Sequence, residues 1–280
     1  MKLFQNFLEL KLQTNLLYLP DEKNEIKTGD ALGRKAFSLT SKENIKKFYK
    51  KKSILMKLGD VAGRDKVKDF NKSSVSKGNL LIVVERSGKG EDNIFMDQLK
   101  TLIENNTTNR FHINLSSHRF GYESIKKLSE ILKISKSNID VLDLSYNNIG
   151  DRESKLLVDN INSNKSIMIK NIMLSDNNIS NKGVNQWAKL LGKNNKSIEY
   201  ISFNRNKVDD SGLKNIFDNI KEDETIKGVY FKSNNIKSGG ADIIIDALKV
   251  NKSLEEVGIS QNKIGRKKTF KIEELLMKKN

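Results

Sequence analysis

Apolar and polar positions along the last two-thirds of the chain repeat in one phase. The motif is apolar-x-x-apolar-x-apolar-x-x-Asn-x-apolar, and it occurs five times. The copies are Ile139/Leu142/Leu144/Asn147/Ile149, Ile169/Ile172/Leu174/Asn177/Ile179 and Ile198/Ile201/Phe203/Asn206/Val208. Ile226/Val229/Phe231/Asn234/Ile236 and Leu254/Val257/Ile259/Asn262/Ile264 follow. The second position of the motif is Leu142, then Ile172, Ile201, Val229 and Val257. Its period is about 28–30 residues, within the range that marks stacked repeats. The alternation around it predicts a short strand. Beyond each asparagine the spacing turns helical, as in Leu156/Leu157/Ile161, Val184/Trp187/Ala188/Leu191, Leu213/Ile216/Phe217/Ile220 and Ile244/Ala247/Leu248. Each copy is therefore a strand–loop–helix unit, which buries its apolar face only by stacking on its neighbours.

The phase extends upstream. Ile113 and Leu115 take the strand positions, His118 replaces the asparagine, and Ile125/Leu128/Ile131/Leu132 form the following helix. Leu80–Val84 reads as a degenerate capping strand, followed by a helix over Asp92–Glu104. A last helix is predicted near Thr269–Met277. The segment 1–78 does not repeat. Leu8, Leu10 and Leu12 alternate as in a strand, with Leu16–Leu19 as its partner, and Pro20 closes that section. Thr40–Glu43 fits a capping box opening a basic helix over 42–58, and a basic connector spans Lys66–Lys77. Two regions result: 1–78, a partly helical N-terminal region or cap, and 79–280, a solenoid of about six repeats.

The period, together with junctions such as Asn164-Lys165-Ser166-Ile167, Asn195-Lys196-Ser197-Ile198 and Asn251-Lys252-Ser253-Leu254, resembles the ribonuclease-inhibitor-like subclass of leucine-rich repeats. The resemblance implies an α/β fold, a right-handed β-α horseshoe, over about positions 80–280. It also implies protein binding on the concave strand face. The subclass includes receptors and GTPase activators, so the fold settles no partner.

Composition narrows the chemistry. The chain has no cysteine, which excludes disulfides, thiolate metal sites and a cysteine nucleophile, and with it cysteine-dependent ubiquitin ligase chemistry. Its two histidines, His112 and His118, make no recognisable metal or acid–base group. Gly88-Lys89-Gly90 lacks phosphate-loop spacing and reads as a turn. No cofactor and no enzymatic activity are expected. The net charge is +16, with the segment 1–78 holding 18 Lys/Arg against 9 Asp/Glu. Lysine and asparagine abundance fits an AT-rich coding genome, and the shortage of arginine argues against base-specific nucleic-acid reading. Lys42, Lys46, Lys47, Lys50, Lys51, Lys52 and Lys57 in the basic helix could instead meet an anionic membrane surface.

The ladder residues Asn147, Asn177, Asn206, Asn234 and Asn262 carry both a donor and an acceptor, and are read as structural. Strand residues flanking the core positions face the opposite side. Among these, Val141, Asp143, Tyr146, Met173, Asp176, Tyr200, Arg205, Tyr230 and Lys232 are the expected partner-binding set. Val141, Met173, Tyr200 and Tyr230 zigzag across its middle, with Tyr, Met and Arg as interface anchors. Asp176 and Arg205 share a column and are expected to pair. Trp187 is expected in the core.

The opening stretch Met1–Pro20 lacks an uninterrupted apolar h-region, so a cytoplasmic setting is expected. The Lys/Asn-rich, cysteine-free composition resembles that of effectors injected by intracellular bacterial pathogens. The segment Lys271–Asn280 is similar to the glutamate-bearing tails of type IV secretion substrates. That resemblance implies secretion into a host cytosol and a host innate-immune or ubiquitin-pathway partner. The oligomeric state is not readable from the pattern.

Overall fold

A computed structural model describes residues 53–58, 81–86, 92–105, 107 and 110–279. The readings on Leu8–Leu19, Thr40–Glu43, Lys66–Lys77 and Gly88–Gly90 lie outside these residues. Eight parallel strands form one sheet in chain order: β1 (Ser53–Leu58), β2 (Leu81–Arg86), β3 (Arg110–Asn114), β4 (Asn138–Asp143), β5 (Met168–Met173), β6 (Tyr200–Ser202), β7 (Gly228–Tyr230) and β8 (Glu256–Gly258). The helices between and after them are α1 (Asp92–Glu104), α2 (Tyr122–Ile134), α3 (Asp151–Ser163), α4 (Asn181–Trp187), α5 (Asp210–Ile220), α6 (Ser238–Val250) and α7 (Arg266–Met277). Register follows the repeat, so Ile113, Leu142, Ile172, Ile201, Val229 and Val257 are successive partners across the sheet. This is the open α/β solenoid that the pattern predicts.

Two elements depart from expectation. The predicted helix over 42–58 ends in strand β1, which pairs with β2 from Ser53↔Leu81 to Leu58↔Arg86. Ile54, Met56 and Leu58 alternate with period two. Met56 partners Val84, and Val84 partners Ile113, so both early strands keep the spacing of the repeat. The sheet thus begins upstream of the 78/79 boundary. The helical run through Leu191 is also broken. Helix α4 ends at Trp187 and continues as 3-10 turns over Ala188–Leu190 and Gly192–Asn194. Gly192 has φ +82°, and its N–H donates to the Asp223 carboxylate at 2.8 Å. Only glycine takes that conformation without a Cβ penalty, so Gly192 suits the turn that follows the extended Leu191.

The repeated apolar positions are buried between sheet and helices in one continuous cluster. Trp187 is fully buried, and Phe203 and Phe231 stack at 5.3 Å between neighbouring repeats. Polar groups join the repeats at both ends of the strands. Each ladder asparagine donates through Nδ2 to a carbonyl of the repeat before it: Asn147 to Leu115 O (2.7 Å), Asn177 to Leu144 O (3.0 Å), Asn206 to Leu174 O (2.8 Å), Asn234 to Phe203 O (2.8 Å) and Asn262 to Phe231 O (2.7 Å). Each Oδ1 accepts a backbone N–H of that same repeat, for example Ile179 N to Asn206 at 2.9 Å. The buried backbone groups of the loops are thereby paired.

A second series serves the helix-to-strand junctions. Asn164 Nδ2 donates to Leu132 O and Ser135 O, Asn195 to Ile198 O and the Asp223 carboxylate, and Asn251 to Ile220 O and Asp223 O. These are the first residues of the recurring junction tetrapeptides. Helix starts are capped across repeats as well. Asp151 accepts from Ser180 N and Gly183 N, both at 2.9 Å, and Asp210 accepts from Lys237 N at 2.7 Å. A Cβ on Gly183 or Gly240 would lie 2.6 Å from those carboxylates, so the glycine makes room for the cap.

Charges at the strand starts alternate. Asp140, Lys170, Glu199, Lys227 and Glu255 occupy one column. The buried Asp140 pairs with Arg110 (2.9 and 2.5 Å). Glu199 lies between Lys170 (3.4 Å) and Lys227 (2.8 Å). Burial opposes ionisation of Glu199, but the two lysines outweigh it and hold its carboxyl below the ordinary value.

Candidate protein-binding face

Strand alternation leaves two rows on the face of the sheet away from the helices. Cross-strand register aligns His112, Val141, Asn171, Tyr200, Gly228 and Glu256 in one row. Asn114, Asp143, Met173, Ser202, Tyr230 and Gly258 form the other. Val141, Met173, Tyr200 and Tyr230 therefore do zigzag across four neighbouring strands.

Their exposure divides them. Val141, Asp143, Met173, Tyr200 and Lys232 are half-buried and reach solvent. Tyr230 is only 5% exposed, and its hydroxyl donates to the Glu256 carboxylate at 2.6 Å. It faces the predicted side but is no exposed anchor. Its ring lies against Gly258, where a Cβ would meet Tyr230 Cδ1 at 2.6 Å. Tyr200 covers Gly228 in the same way, with Cδ1 at 2.6 Å from the position of a Cβ. Each tyrosine is thus seated on a glycine of the following strand. Burial, then the negative charges of Glu256, Glu255 and Glu199, push the Tyr200 hydroxyl up to about 12. Burial and the adjacent Glu256 push the Tyr230 hydroxyl up further. Both stay protonated at any physiological pH.

The short polar residues on this face bond internally. Asn171 Nδ2 donates to Asp140 O (2.6 Å), Asn204 Oδ1 accepts from Lys232 N (2.7 Å), and the Ser175 and Ser202 hydroxyls lie 2.9 Å apart. Asn114, Asn171, Ser202 and Asn204 are buried. What remains open to a partner is apolar and aromatic at the centre, with charge at one rim.

That rim has unusual backbone. Ser117, Tyr146, Asp176, Arg205, Ser233 and Gln261, each immediately before the ladder position, have φ between 52° and 65°. Such values are uncommon outside glycine. They turn the chain out of the strand, and the side chains meet along the column. The Asp176 carboxylate lies 3.7 Å from the Arg205 guanidinium, and the neighbouring Tyr146 also favours its charged form. Burial raises the Asp176 carboxyl above its ordinary value, and Tyr146 and the Arg205 charge offset only part of that rise. The expected Asp176–Arg205 pair is present, with Tyr146 as a third member.

Sequence reasoning missed the roles of Gly228, Gly258 and Glu256. The available signal was a glycine one period after each of the two tyrosines. Among the described residues, no group of three or more His, Cys, Asp or Glu could hold a metal ion. No described helix is long and apolar enough to cross a membrane. The segment read as a secretion tail falls largely in helix α7, whose Ile272 and Leu276 are buried against the solenoid.

A family model described as "Leucine Rich repeat" matches residues 135–152. No curated protein matches the chain. Solved structures similar to it include leiomodin-1 actin-binding site 2, at 16% identity and a TM-score of 0.44, covering 56% of this chain and 86% of that one. Another is the tropomodulin C-terminal domain from Caenorhabditis elegans, at 14% identity and a TM-score of 0.45, covering 55% and 92%. The ladder, the in-register parallel sheet and the matched repeat together give this chain the leucine-rich-repeat architecture.

Proposed function

We propose that the chain is a non-enzymatic scaffold that binds a protein partner on the open strand face. Tyr200 is the centre of the contact, with Val141 and Met173 beside it and the Tyr146–Asp176–Arg205 rim at its edge. The observation that carries this reading is the seating of the Tyr200 ring over Gly228. A ring already fixed in position loses little conformational freedom on binding, which favours an aromatic contact. Tyr230 and Glu256 support that platform from below the contact surface. The rim sets Asp176 and Arg205 side by side at its edge, 3.7 Å apart. Roles in GTPase activation or as an injected effector have no comparable support in the geometry. The effector reading rests on composition and on the glutamate-bearing segment Lys271–Asn280.

The test is a photo-crosslinking residue at Met173, compared with one at Lys196 in a helix-to-strand junction. Crosslinking of one partner from 173 and not from 196 supports the reading. That partner should then bind Met173→Ala/Tyr200→Ala at least about tenfold more weakly, since anchors of this type contribute about 1–2 kcal/mol each. Undiminished binding by this folded double variant rejects the open face as the site.

A further inference from the structure

We propose that the outer face of the last helix, α7, docks on an anionic phospholipid surface, independently of the strand-face site. Helix α7 is held to the solenoid by Ile272 and Leu276, both buried, with Leu275 packed beside them. Phe270 and Met277 point away from that contact and are 70% and 66% exposed. They stand two turns apart along one side of the helix. Among the described residues only Ile134 and Val250 are other large apolar groups so exposed, and each is a lone residue at a helix end.

Basic side chains outnumber acidic ones around the pair. The stretch 263–279 contains seven Lys/Arg and two Glu. Glu274 is already held by Lys271 (2.9 Å) and Lys278 (2.7 Å). Lys268 pairs with Asp242 of α6 (2.5 Å). Lys263, Arg266 and Lys267 form no ion pair among the described residues and are exposed. Phe270 and Met277 are thus two exposed apolar points on one face, with half-buried Glu273 and the lysine-paired Glu274 between them and exposed Arg266 and Lys267 one turn before Phe270, a net basic amphipathic face of the kind that lies in a membrane interface. Phenylalanine and methionine bring no hydrogen-bonding group, which suits an acyl-chain boundary. Lysine and arginine stems can lie along the apolar surface while their charges reach phosphate. A single arginine and a single aromatic ring are a poor match for nucleic acid, where guanidinium forks and repeated stacking dominate.

The experiment uses the full chain with two kinds of vesicle: phosphatidylcholine alone, or with roughly one-third phosphatidylserine to give an anionic surface. The expected result is co-sedimentation with the anionic vesicles only, weakened when salt rises from about 0.05 to 0.5 M. Phe270→Ser/Met277→Ser and, separately, Arg266→Glu/Lys267→Glu should each reduce binding at least about tenfold at unchanged melting temperature. Because the chain has no cysteine, Phe270→Cys can carry one environment-sensitive dye. Its emission should shift to the blue on the anionic vesicles, while a dye at Lys196→Cys should not shift. Failure of the wild-type chain to prefer anionic vesicles overturns the proposal. So does full binding by Phe270→Ser/Met277→Ser with loss in Lys50→Glu/Lys51→Glu, which would assign the lipid contact to the N-terminal region. Phe270-dependent dimers without vesicle binding would overturn it in favour of a second copy of the chain. The Met173→Ala/Tyr200→Ala variant should bind vesicles normally, which keeps this test separate from that of the strand face.

Discussion

At the scale of single residues, the ladder and the seated tyrosines make different demands. Asn206 accepts the Ile179 N–H, whereas Leu174 O accepts from both Asn206 and Asn177. Asn206→Leu should therefore orphan chiefly one buried donor and cost about 1–3 kcal/mol. A fall in the thermal midpoint is expected, and an unchanged midpoint would show that Asn206 does not hold the loop. Gly258→Ala would push a methyl into Tyr230 and should cost a similar amount, about 1–3 kcal/mol. In a Tyr230→Ala background the same change should cost much less, with a coupling of about 1 kcal/mol or more by urea unfolding. Additive costs would show that the ring does not rest on the glycine.

At the scale of elements, the strand starts carry a pH dependence. Glu199 has its folded pKa lowered below 4.5 by Lys227 and Lys170, against the opposing effect of burial. A lowered acid pKa means that the unfolded chain binds the proton more tightly. Its stabilisation is therefore present above the unfolded value and is lost as pH falls through the folded one. Glu199→Gln should thus lower the midpoint near neutrality, and the gap to the wild-type chain should close below about pH 4. A gap that is constant with pH would remove the ion pairs as its cause. These elements also show what was legible. Six strands from Ile113 to Val257 could be placed because each carries a core position in phase and a polar ladder residue after it. Strand β1 has the phase, one period ahead of β2, but its lysine-rich approach mimics a helical face. The burial of Tyr230 was not legible from alternation, because it depends on a glycine and a glutamate in the next strand. Alternation says which way a side chain points, and its neighbours decide whether water reaches it.

At the scale of the whole molecule, β1 alters where the sheet can be cut. A fragment starting at residue 79 loses the strand that pairs with β2, and with it the parallel pairing from Ser53↔Leu81 to Leu58↔Arg86. The 79–280 fragment should unfold at lower urea than a 53–280 fragment. Equal behaviour of the two would show that β1 adds nothing to the sheet.

The alternating column of Asp140, Lys170, Glu199, Lys227 and Glu255 gives the stack a parity. Deleting one repeat around Glu199 would bring Lys170 beside Lys227, a like-charge pair across neighbouring strands, which is unfavourable. Deleting two would bring Lys170 beside Glu255 and restore attraction. By this rule the solenoid shortens or lengthens more comfortably by even numbers of repeats than by odd ones.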